Sequence, residues 1–234
     1  MKAKTLIPNG FTLANLLLGF MSLIFINNEK YYAAALCVLS AMIFDALDGR
    51  VARYFGTSTE MGKELDSLCD LISFGIVPAL LLYEMSLKKH GIFGLAAASL
   101  FPLCGAIRLA RFNILKPLPY FVGLPITAAG GTLISLVLSS KNLDSPFYPA
   151  VVALLAYLMI SPFKYPNFKN IRKPKTQKYL FICISAGLII GMSQGPARVL
   201  FVFLSVYAFS GIIIYLFRLK DHKLAEKIMT FFRA

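Results

Sequence analysis

The chain has 234 residues, of which 58% are hydrophobic and 15% charged, with a mean hydropathy of +0.70. Soluble domains carry about 25% charged residues, and the apolar runs here are continuous instead of alternating. These features exclude an ordinary soluble domain and argue against a barrel, leaving an all-α, polytopic integral membrane protein. The formal net charge of +13 sits on residues flanking the apolar runs and not in one soluble basic module. That argues against nucleic acid as a partner and for the lipid bilayer.

In chain order, Met1-Lys2-Ala3-Lys4 and the apolar run behind it have the outline of a secretory signal. No small-residue cleavage site follows, and Asn9, Thr12 and Asn15 interrupt the start, so a retained first helix is expected. Eight spans are expected, at about 11–26, 31–44, 65–83, 92–112, 122–138, 147–160, 179–192 and 197–217. Several fall short of the roughly 20 residues that cross a bilayer unaided. The second is expected to continue as helix into the polar stretch behind it.

With the N-terminus in the cytoplasm, 19 of the 24 Lys and Arg residues fall on the inner side. Lys30, Lys88, Lys89, Lys141 and Arg198 fall outside. The positive-inside rule therefore places both termini in the cytoplasm of a cell-membrane protein. No internal repeat is evident, so 1–234 reads as one membrane domain. A Pro-containing basic loop at 161–178 separates residues 1–160 from two additional helices at 179–217 and a basic tail at 218–234. The loop and tail either attract an anionic leaflet or only set topology. The four cysteines lie in apolar runs without zinc-ligand spacing and read as small buried hydrophobes.

The polar stretch reads Asp45-x2-Asp48-Gly49-x2-Ala52-Arg53-x8-Gly62-x3-Asp66-x3-Asp70. Carboxylates next to lipid are costly, so four of them need a shared cation or a shared task. Helical residues three or four apart share a face. Asp45 and Asp48 thus form one stripe, Gly62, Asp66 and Asp70 another, and a turn is expected at 55–59. Facing carboxylates repel, and hard divalent cations resolve the repulsion. All-oxygen ligation suits Mg²⁺ or Mn²⁺ and not zinc. Two such ions can clamp a phosphate during in-line displacement. Gly49 and Gly62 let a bulky group approach the backbone, and Arg53 can pair with phosphate oxygens. The plainer reading is that the aspartates only pair with Arg50, Arg53 or Lys63.

At these residues the chain resembles the CDP-alcohol phosphotransferase family, whose motif it carries at all eight fixed positions within 26 residues. The resemblance implies a six-helix core with its site at the cytoplasmic side, a homodimer, and transfer of a phosphoryl-alcohol group from a CDP-linked donor to a hydroxyl, releasing CMP. By position, it implies that Asp45, Asp48, Asp66 and Asp70 hold two metal ions, that Asp70 is also the general base, and that Gly49, Ala52, Arg53 and Gly62 line the cytidine diphosphate site. Thr12 and Asn15, inside the first span, contact the nucleotide or bond another helix.

Further segments resemble serine-using members of the family: Pro8-Asn9-x2-Thr12-x2-Asn15, Ser73-Phe74-Gly75-x2-Pro78-Ala79, Arg108-Leu109-Ala110-Arg111-Phe112-Asn113, and Phe121-x-Gly123-Leu124-Pro125 with Tyr165-Pro166-Asn167-Phe168-Lys169. They imply CDP-diacylglycerol, or an ether-lipid equivalent, and L-serine as substrates. Arg108 and Arg111 are i,i+3 neighbours, and an arginine fork suits a serine carboxylate or a donor phosphate. The alternative is that both reach for lipid headgroups, with Asn113 undecided. Glycerol 3-phosphate and inositol phosphate are rival acceptors. A divalent-cation transporter is the rival of another class, although no inverted repeat is present.

Overall fold

The computed structural model describes residues 3–55, 59–114, 120–140, 145–166 and 195–231. Helix α1 (Ala3–Asn27) and helix α2 (Tyr31–Phe55) form an antiparallel hairpin. Its turn is closed by Lys30 N–H donating to the Phe25 carbonyl at 2.8 Å, with Glu29 at φ 59°. Ala34, Val38 and Ala41 repeat at helical spacing and are buried. Such small residues let backbones approach, and Ser22 Oγ crosses to the Ala34 carbonyl at 2.9 Å.

The expected turn at 55–59 is present at both of its edges. Helix α2 ends at Phe55, and Thr59 caps helix α3 (Glu60–Asp70) by accepting from the Gly62 N–H at 3.0 Å. Residues 56–58 lie outside the described residues. Directly after Asp70 the helix widens into one π-helical segment, Leu71–Ile76, and resumes as α4 (Val77–Met85). Helices α3 and α4 and this segment make one span, Glu60–Met85. A 3₁₀ turn (Leu87–His90) leads into α5 (Gly91–Ile114).

The π segment is clamped on two sides by glycines. A Cβ on Gly19 of α1 would lie 3.3 Å from Ser73 Cα. On helix α6 (Ile126–Ser139), a Cβ at Gly130 would lie 3.0 Å from Phe74 Cα. The core surrounds this region, with Phe74, Phe101, Leu133, Ile134, Leu158 and Met159 buried.

Helix α7 (Tyr148–Ile160) packs on α5, and strand β1 (Tyr120–Val122) pairs antiparallel with strand β2 (Lys164–Pro166), beyond α6 and α7 in the chain. Helix α8 (Pro196–Phe231) packs along α6. Leu204 and Met42 both crowd Gly131, where a Cβ would meet them at 3.0 and 2.8 Å, so α6 is sandwiched between α8 and α2.

Among the described residues, five helices are long and apolar enough to cross a membrane, against the eight spans expected: Asn9–Asn27, Tyr31–Val51, Glu60–Met85, Leu87–Ile114 and Pro196–Ile213. The second does run on into the aspartate stretch, as expected. The expected fifth and sixth spans form helices of 14 and 13 residues. At about 1.5 Å per residue each is near 20 Å long, short of a hydrocarbon core of about 30 Å. The reason is local. Val122, expected to begin the fifth span, instead ends β1, Gly123 takes φ 78°, and Pro125 starts the helix late. The expected seventh span lies outside the described residues. Helix α8 continues through the basic tail to Phe231.

Candidate active site

Helices α1, α2, α3 and α5 each bring polar side chains to one region. Asp45 and Asp48 come from α2 and Asp66 from α3, and one ligand oxygen of each lies within 4.8 Å of the others. Asp48 is buried, while Asp45 and Asp66 are half-buried. Asp70, 8% exposed, lies outside this trio but within electrostatic range of all three carboxylates and of Arg108.

Helix α1 ties the two stripes together. Thr12 Oγ1 donates to Asp48 Oδ2 at 3.1 Å, and Asn15 Nδ2 donates to Asp70 Oδ1 at 3.4 Å. Thr12 and Asn15 are i,i+3 neighbours, which is why one helix face serves both. Of the two roles open to them, bonding another helix is therefore present in the structure. Asn15 is itself held through its carbonyl, which accepts from Ser73 Oγ at 3.1 Å. The π segment thus braces the residue that braces Asp70.

Lys63 pairs with Glu60 at 2.7 Å, and its partner is not one of the aspartates. Gly62 lies beside α1, where a Cβ would sit 3.5 Å from Asn9 Oδ1. Gly49 is half-buried on α2. The backbone of Ala52 and Arg53 continues α2, and their side chains lie outside the described residues.

The α5 trio divides. Arg108 is 7% exposed, and its guanidinium carbon lies 5.4 Å from the centre of the Phe112 ring. Arg111 donates from a terminal guanidinium nitrogen to the Ile160 carbonyl at 3.0 Å. It caps the end of α7, a helix-end carbonyl that lacks an intrahelical partner. Asn113 exchanges hydrogen bonds with Ser67 at 3.0 and 3.3 Å, linking α5 to α3 beside Asp66.

The order of residues did not single out Ser67 or the helix-capping role of Thr59. Thr59-x2-Gly62 was legible as a cap, since Thr is a preferred N-cap residue. Nothing in the order of residues pairs Ser67 with Asn113.

The donor set fits one hard divalent cation. It consists only of carboxylate oxygens, and Asp66 Oδ1 is buried without a hydrogen-bond partner among the described residues. A buried polar atom left unpaired is costly, and a cation removes that cost. Asn15 Oδ1 and Arg108 Nε are also buried without a partner among the described residues. One is an acceptor and the other a donor, which suits a polar ligand bearing both kinds of group.

The fold and site therefore define an all-helical protein with several membrane-length apolar helices and an acidic centre for a divalent metal. The chain belongs to the CDP-alcohol phosphatidyltransferase family, which it matches over residues 5–163. It is 38% identical over 222 residues to a CDP-diacylglycerol–serine O-phosphatidyltransferase of Helicobacter pylori, covering 91% of this chain and 92% of that one. A protein of the same name from Methanocaldococcus jannaschii is 38% identical over 206 residues, covering 88% of this chain and 92% of the relative. An archaetidylserine synthase of Methanothermobacter thermautotrophicus is 36% identical over 166 residues, covering 69% and 70%.

Proposed function

We propose that the protein transfers the phosphatidyl group of CDP-diacylglycerol, or of an ether-lipid equivalent, to the hydroxyl of L-serine and releases CMP. The observation that carries this is the convergence of Asp45, Asp48 and Asp66, with Asp70 beside them, on the family's spacing. Serine as acceptor rests on the relatives that carry serine in their names.

In this reading Asp45, Asp48 and Asp66 hold one divalent cation, and Asp70 shares a second. A bound Mg²⁺ or Mn²⁺ neutralises diphosphate charge and stabilises the negative charge that develops on phosphorus. Gly49, Ala52, Arg53 and Gly62 receive the cytidine diphosphate. Asp70 accepts the proton of the serine hydroxyl, the serine oxygen bonds to the lipid-side phosphorus, and the bond from that phosphorus to the CMP oxygen breaks. Asn15, bonded to Asp70 Oδ1, keeps that carboxylate in one orientation. Arg108 faces the acceptor's negative group, because a guanidinium fork matches a carboxylate.

The same reading threads residues 1–160 as a six-helix core with α6 and α7 completing the bundle. A basic segment at 161–178 and two further helices at 179–217 follow. Both termini and the site face the cytoplasm, and the enzyme is a homodimer.

The test incubates purified protein with a CDP-lipid, labelled serine and Mg²⁺ or Mn²⁺. CMP and labelled lipid are expected in equal amounts, both lost on chelation and restored by metal. CMP release that requires a different alcohol overturns serine as acceptor.

A further inference from the structure

Helix α3 carries Asp66 and Asp70 but has little apolar surface to hold it in place. Of its apolar side chains only Cys69 is buried, and Met61 and Leu68 are exposed. Hydrogen bonds from other helices therefore weigh more here than packing does. Asp48 of α2 is held by Thr12 and Asp70 by Asn15, both from α1. Asp66 is different. Its Oδ1 is buried without a hydrogen-bond partner among the described residues, so where that oxygen points is set by the backbone that carries it.

The next residue, Ser67, is the one that α5 grips. Asn113 Nδ2 donates to Ser67 Oγ at 3.0 Å, and Ser67 Oγ donates to Asn113 Oδ1 at 3.3 Å. Both polar atoms of the Asn113 amide are thus engaged by one serine. Asn113 itself stands on a fixed platform. Arg111 donates to the Ile160 carbonyl of α7 at 3.0 Å, and Phe112 packs on Phe121 of β1 with ring centroids 6.1 Å apart. The end of α5 is anchored from two directions that do not involve α3. It can therefore hold the turn of α3 on which Asp66 sits.

We propose that Asn113, through Ser67, is a positioning residue for Asp66, so that α5 sets how tightly the carboxylate trio holds a divalent cation. This rests on the reading of Asp45, Asp48 and Asp66 as a metal centre. It gives Asn113 a role behind the metal site in place of contact with serine or phosphate. Mg²⁺ takes its oxygens at about 2.0–2.1 Å in near-ideal octahedral geometry. A small drift of α3 away from α2 therefore weakens binding, and the Asn113–Ser67 pair opposes that drift.

The experiment titrates Mn²⁺ alone into the purified full-length protein and reads free Mn²⁺ by electron paramagnetic resonance. The wild type is compared with Asn113→Leu, Ser67→Ala, the double variant, Ser67→Thr and Ser22→Ala, with thermal stability and serine KM measured in parallel. Loss of one hydrogen bond predicts a Mn²⁺ Kd raised roughly fivefold in Asn113→Leu and in Ser67→Ala. The double variant is expected to match the singles, because the two residues act as a unit. Ser67→Thr keeps the hydroxyl and is expected to keep wild-type affinity. Ser22→Ala removes a buried bond of 2.9 Å between α1 and α2 and is expected to lower stability without changing Mn²⁺ affinity. Wild-type affinity in Ser67→Ala or in Asn113→Leu overturns the inference, as does a loss matched by Ser22→Ala. A raised serine KM in Asn113→Leu with Mn²⁺ affinity intact overturns it too, and makes Asn113 an acceptor contact. Ser67→Ala removes a single oxygen and carries the test alone where Asn113→Leu does not fold. Wild-type protein that binds no Mn²⁺ overturns the metal reading, and the inference with it, before any variant is compared.

Discussion

Asp70 carries a different load from the other three aspartates. It is the one outside the tight trio and the one held by Asn15, with Arg108 in range. An amide in its place keeps the shape and can still accept from Asn15, but it cannot take a proton. Asp70→Asn is therefore expected to lower kcat by about 10²–10⁴-fold while CDP-lipid binding changes little. Rapid-quench measurement of CMP beside equilibrium lipid binding checks this, and full activity removes Asp70 from the base role. The motif made all four carboxylates legible as a group. It did not separate them, because spacing along a helix says which residues share a face and not how closely two faces meet.

At the scale of elements, the π segment behind Asp70 is the decisive piece. It places Ser73 where it bonds the Asn15 carbonyl, and Asn15 in turn bonds Asp70. The segment is held by close backbone approaches at Gly19 and Gly130. Gly130→Val puts branched carbon against Phe74 backbone. A cost of about 1–3 kcal/mol is expected for such overpacking, read as a lower unfolding temperature, together with lost transfer activity as the π segment shifts. Gly10, whose added Cβ meets nothing within 4 Å, gives the contrast. Gly10→Ala is expected to leave activity intact and to stabilise by up to about 1 kcal/mol as a helix-favouring change. Equal damage from both substitutions would rule out the clamp. The helical character of the segment was legible from its apolar run. The widened turn was not, because it depends on neighbours from α1 and α6.

For the whole molecule, Lys63 lies in the first turn of the span Glu60–Met85 and Lys88 just beyond its end, and both are exposed. About 25 residues of helix separate them by nearly 40 Å, so they emerge on opposite faces if this span crosses the bilayer. With the charge asymmetry as guide, Lys63→Cys is expected to resist a membrane-impermeant thiol reagent in intact cells, in a background lacking the native cysteines. Lys88→Cys is expected to react. The reverse labelling inverts the orientation and puts the site on the other side of the membrane.

The order of residues by itself determined the helical, lipid-matched class and the site's aspartates. The first is a matter of composition, and the second of local periodicity within a short stretch of chain. Only the tertiary structure decided that Asp45, Asp48 and Asp66 form a trio without Asp70 and that Arg111 donates to the end of α7. It also decided that Asn113 bonds Ser67, 46 positions earlier in the chain. These outcomes depend on how helices approach one another, which is set by small residues, capped ends and a widened turn acting together. No single stretch of sequence contains that information.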